Sequence, residues 1–108
     1  MNCWWVNHYA CPSDEPGGTR HHAMARSLGE RGIDVTLIAS SFHYTKLQER
    51  LDPGEQVRVE TRDGVRYAWL RTRAYSEHPL ARLRNMRSFA KHLSSASESL
   101  PVPRPDVI

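Results

Sequence analysis

Residues 33–40, IDVTLIAS, are apolar almost without a break, and that run constrains the fold more than any other feature of the chain. A strand with one face in water alternates apolar and polar residues. One this apolar is covered on both faces, as parallel strands between helical layers are. Upstream, CWWV (Cys3 to Val6) reads as a first short buried strand. Between the two, TRHHAMARSLGERG reads as a helix: Thr19 is a good N-cap, Met24 and Leu28 stand four apart, and Gly32 is a stop signal. Strand, loop, helix and strand with connections this short predict a right-handed parallel βαβ unit.

Further along, SFHYTKLQERLDPGE reads as a polar loop broken at Pro53-Gly54. QVRVET and VRYAWLR alternate on either side of Asp63-Gly64, which predicts a β-hairpin. HPLARLRNMRSFAKHLSSAS predicts a second helix, with Leu80, Leu83, Met86, Ala90 and Leu93 as the apolar stripe and Phe89 alongside. Packing of that stripe on the sheet is the expected use. SLPVPRP breaks the helix, and DVI (106–108) opens another apolar strand. The chain is therefore expected to be an N-terminal piece of a longer protein. There are no internal repeats and no low-complexity segment.

At 108 residues the chain is one domain at most, and 39% apolar with 25% charged residues is ordinary for a globular one. No stretch approaches the roughly 20 apolar residues that span a bilayer. The N-terminus lacks a basic region followed by a long apolar run, so no signal peptide is read and a cytoplasmic location is expected. Cys3 and Cys11 are then expected as free thiols rather than a disulfide. Charge is unevenly placed. Nine Lys/Arg and three acids lie between Arg58 and Lys91, against six and nine elsewhere. A block of this sign either meets an anionic partner or is a solvated surface.

The stretch EPGGTRHH carries the first chemical signal. A loop that leaves a parallel strand and enters a helix is where open α/β sheets place ligands. Gly17 and Gly18 remove the side chains that would hold an anion off the backbone amides, and the helix N-terminus adds partial positive charge. The spacing is neither a dinucleotide fingerprint nor a P-loop, and glycines in turns commonly serve positive φ instead. His8, His21, His22 and His43 raise a metal question, but adjacent histidines diverge around a helix and no ligand spacing completes a site. No metal is expected; exposed structural roles are expected for His22 and His43. On the second helix, Arg84, Arg87 and Lys91 recur at i, i+3 and i+7, suited to an anionic membrane surface or to plain solvation.

The run VNHYACPSDEPGGTRHHAMARSLGERGIDVTLIASSFHY resembles the opening of family 4 glycosyltransferases, which have two Rossmann-like domains facing a cleft, the GT-B architecture. The stretches DGVRYAWLRTRAY and LARLRNMRSFAKHL are similar to bacterial O-antigen and capsule enzymes, including transferases of N-acetylated aminosugars. The resemblance implies an α/β fold: a Rossmann-like parallel sheet with flanking helices and a β-hairpin insertion. Residues 1–108 would be a partial N-terminal, acceptor-side domain, with the C-terminal nucleotide-sugar-binding domain and its paired glutamates absent. By position, Gly17, Gly18, Thr19 and Arg20 would face the donor diphosphate, and Asn7, His8 and His21 the acceptor. Arg84, Arg87 and Lys91 would meet a membrane or a lipid diphosphate. The implied activity is retaining sugar transfer without a required metal and with no cofactor beyond the nucleotide-sugar substrate. The acceptor would be polyprenyl-diphosphate-linked or a saccharide, at the inner face of the cell membrane, with no nucleic acid involved. These residues alone would be inactive, and catalytic residues are not assigned. Two other readings remain: a small basic module binding nucleic acid or a membrane surface, and a stand-alone flavodoxin-like domain.

Overall fold

The computed structural model describes residues 1–12, 19–43, 48–72, 79–96 and 100–108. Its elements in chain order are β1 (Asn2–Val6), α1 (Arg20–Glu30), β2 (Asp34–Ser40), β3 (Phe42–His43), β4 (Gln48–Glu49), β5 (Val57–Arg62), β6 (Val65–Leu70) and α2 (Pro79–Ala96). The main sheet has the order β1-β2-β6-β5. β1 and β2 pair in parallel, Cys3 opposite Val35 and Val6 opposite Ile38, and so form the expected βαβ unit around α1.

The hairpin is not an insertion beside the sheet. β6 pairs in parallel with β2, placing Leu37 opposite Tyr67, while β5 pairs antiparallel with β6 at the sheet's edge. The sheet is therefore mixed. Asp63 (φ 51°) and Gly64 (φ 77°) both take positive φ, as the two central residues of a tight I′-type turn require. Within the expected polar loop after β2, Phe42 and His43 pair antiparallel with Glu49 and Gln48. Val107 forms a single parallel bridge to Cys3, and the Trp4 amide donates to its carbonyl at 3.0 Å.

Side chains alternate across the sheet and fill two cores. On one face Val35, Leu37, Ala39, Val65, Tyr67 and Trp69 meet Ala25 and Leu28 of α1. On the other, Trp4, Ile38, Ala68 and Leu70 meet Phe89 and Leu93 of α2. Of the pair expected to mark the inner face of α1, only Leu28 packs there; Met24 is 43% exposed, and His22 and Ala25 are buried instead. His22 reaches the core because its Nδ1 pairs with the Tyr67 hydroxyl at 2.7 Å, and its ring stacks on that of Tyr67. The expected exposed roles of His22 and His43 are thus overturned: both are buried. Cys3 and Cys11 are free thiols.

The second helix departs most from expectation. Leu80, Leu83 and Met86 are 57%, 45% and 40% exposed, and Ala90 is exposed as well. Of the expected stripe only Leu93 packs on the sheet, beside Phe89. The face that is covered is anchored by polar groups. Asn85, 1% exposed, donates from Nδ2 to Thr72 Oγ1 at 2.7 Å, and His92 Nδ1 bonds the Arg71 carbonyl at 2.8 Å. A buried amide N–H is costly unless it finds an acceptor, so the Nδ2 bond to Thr72 favours this rotation of the helix about its axis.

Candidate functional site

The carboxyl ends of the three parallel strands form a polar edge. The strand ladder continues one residue past the assigned elements: the Asn7 amide donates to the Ile38 carbonyl (2.9 Å), Ser40 to His8 (3.2 Å) and Ser41 to Leu70 (2.8 Å). These bonds hold Asn7-His8, Ser40-Ser41 and the start of 71–72 side by side. Alternation sends successive side chains to opposite faces, so the edge has two clusters.

On the α1 side, the Asn7 side chain does two things. Its Oδ1 accepts from the Tyr9 amide at 2.9 Å, which closes a short turn after β1. Its Nδ2 lies 2.9 Å from Nε2 of His21, whose ring meets Trp5 edge-on at 4.9 Å. Asn7 and His21 are therefore joined by a hydrogen bond. Thr19 occupies the N-cap position of α1, yet its side chain makes no capping hydrogen bond; Arg20 next to it is exposed. Gly17 and Gly18 lie outside the described residues.

On the α2 side, His8 does not join Asn7 and His21. Its ring stacks on Phe89 at 4.7 Å and also contacts Tyr9. Ser40 Oγ and Thr72 Oγ1 are 2.7 Å apart, and Asn85 closes on Thr72. Serine at the end of an apolar run, and asparagine in the middle of a helix where it is disfavoured, are the sequence signals that mark Ser40 and Asn85. Sequence reasoning missed both, and Thr72 carries no such signal. Ser41 is fully buried, and its Oγ has no hydrogen-bond partner among the described residues.

Burial holds the His8 imidazole below its ordinary 6.5; hydrogen bonding to Asn85 opposes this and the Arg82 charge adds to it. A histidine that is harder to protonate folded than unfolded favours unfolding wherever the unfolded chain binds the extra proton. Its contribution to stability is complete above pH 6.5 and falls as the pH drops from there toward the folded value. Wild type should lose stability over that window relative to His8→Gln, read as the difference in urea midpoints against pH. Parallel midpoints for the two proteins would contradict the burial effect.

The hairpin half of the basic block is neutralised within the fold. Arg58 pairs with Glu55 at 2.6 Å and holds its carboxyl below the usual range, Arg66 pairs with Asp34 at 2.8 Å, and Arg62 with Glu60 at 3.4 Å. Arg71 donates to the Asp52 carbonyl at 2.6 Å. Pairs this open to solvent contribute little stability, but they remove the hairpin arginines from the pool of unpaired charge. Arg84, Arg87 and Lys91 are exposed, and their side chains make no ion pair or hydrogen bond with the other described residues.

A cavity of about 550 Å³ lies at the opposite end of the strands, between α1 and the hairpin turn, with Ala25, Gly29, Val35 and Val65 in its wall. The charges on its rim are paired: Arg66 with Asp34, and Arg26 with Glu30 at 4.0 Å as well as with Asp63 of the hairpin turn at 2.9 Å. Among the described residues no group of three or more His, Cys, Asp or Glu side chains could hold a metal, and no helix is long and apolar enough to cross a membrane. Comparison with protein-family models, with curated proteins and with solved structures finds no match to this chain.

Proposed function

We propose that this chain is the acceptor-side part of a glycosyltransferase that moves a sugar from a nucleotide-sugar to a lipid-linked or saccharide acceptor in bacterial surface polysaccharide synthesis. The observation that carries the reading is the joining of Asn7 and His21 at the carboxyl edge of a parallel βαβ unit, beside the first turn of α1. Open α/β sheets bind ligands at that edge. The resemblance of the first forty residues to GT-B transferases supports the same choice.

In this reading Asn7 and His21 hydrogen-bond the acceptor, and His21 presents its ring from a position fixed by Asn7 and Trp5. Arg20 and the α1 amides, following Gly17 and Gly18, face the donor diphosphate. Sugar transfer breaks the anomeric carbon–oxygen bond and leaves negative charge on that diphosphate, so donors and positive charge aimed there lower the barrier. The nucleotide and the donor sugar are held by a second domain, following the resemblance. The test is transfer by the full-length protein from nucleotide-sugars to a polyprenyl-diphosphate saccharide. The competing reading, a small basic module, draws on the charges of Arg84, Arg87 and Lys91 and predicts instead nucleic-acid binding that weakens steeply with salt.

A further inference from the structure

The solvent face of α2 carries two rows at one spacing. Leu83, Met86 and Ala90 recur at i, i+3 and i+7, and Arg84, Arg87 and Lys91 repeat that spacing one residue on. The rows therefore run side by side, about 100° apart around the axis. Leu80 extends the apolar row into the first turns of the helix, and no acidic residue occurs between Pro79 and Ala96. Neither row serves the core, because Asn85 and Phe89 turn the opposite face to the sheet.

We propose that this face docks on an anionic lipid bilayer, with Leu80, Leu83 and Met86 entering the interface and Arg84, Arg87 and Lys91 on the lipid phosphates. A bilayer surface offers both negative charge and apolar volume within one side chain's length, which is what adjacent basic and aliphatic rows match. A nucleic-acid backbone offers charge alone at its phosphates and leaves the leucines and methionine exposed. Arg82, in the early turns of α2, contacts Tyr9. The amino end of the helix therefore stands at the polar edge of the sheet, and docking brings that edge to the membrane. The inference rests on α2 and holds whether or not the chain takes part in sugar transfer.

Flotation of the full-length protein with phosphatidylglycerol-containing vesicles tests it, with pure phosphatidylcholine vesicles and double-stranded DNA as the other arms. Binding should require the anionic lipid and weaken with salt. Arg84→Ala and Lys91→Ala should each reduce it about fivefold at low salt. Leu83→Ser with Met86→Ser should reduce it about tenfold even with the charges intact. All four positions are exposed, so thermal midpoints should not move. Vesicle binding unchanged by these substitutions, no vesicle binding at all, or DNA binding that loses the charges' contribution but ignores the leucine and methionine would each overturn the proposal.

Discussion

Phe89→Ala should destabilise the protein by about 3–5 kcal/mol, whereas Leu83→Ala, earlier in the same helix, should change stability by no more than about 0.5 kcal/mol. Phe89 is 7% exposed, packs among Trp4, Ile38, Ala68 and Leu70, and stacks on His8. Truncating it removes apolar contact and leaves a cavity that the surrounding structure fills only in part. Leu83 is 45% exposed and surrenders little when shortened. For a domain whose whole stability is on the order of 5–15 kcal/mol, the Phe89 variant stands near the limit of folding. Urea midpoints of the two variants against wild type decide the matter. A larger loss at Leu83 than at Phe89 would mean that α2 is turned the other way.

The second large effect concerns the loop whose resemblance points to the donor. In the full-length protein Gly18→Val should lower transfer about a hundredfold or more while the thermal midpoint stays near wild type. The reason is chemical. If the loop holds the donor as proposed, a branched side chain there would push the anion away from the backbone amides, and loss of a single such donor costs about that factor in charge-stabilising sites. The effect should fall on turnover rather than on the fold. Wild-type turnover in this variant would remove Gly17 and Gly18 from the donor side.

Parts of the architecture were legible because the physics is local. Continuous apolar character in 33–40 required cover on both faces, and Asp63-Gly64 could supply the two positive φ values of a tight turn. The place of β6 in the sheet was not local. Its pairing with β2 joins residues some thirty apart, and nothing within VRYAWL distinguishes a hairpin beside the sheet from a strand inside it. α2 offered two acceptable faces, one through Leu80, Leu83 and Met86 and one through Asn85, Phe89 and His92. The choice was made by Thr72 and the Arg71 carbonyl, which only the folded chain brings near. His22 likewise depends on a tyrosine hydroxyl forty-five residues away. At the candidate site, strand alternation separates adjacent residues: Asn7 lies against His21, while His8 turns to the opposite face and stacks on Phe89. The charge block misled for a related reason: the carboxylates that neutralise Arg58, Arg66 and Arg71 come from Glu55, Asp34 and the 49–52 stretch, outside its bounds.

The most direct measurement is sugar transfer itself, made with the full-length protein, a panel of nucleotide-sugars and a polyprenyl-diphosphate saccharide. The account predicts a product lengthened by one sugar, one nucleoside diphosphate released for each, and the donor's anomeric configuration kept. An absence of transfer from every donor, together with nucleic-acid binding that falls steeply with salt, would contradict it.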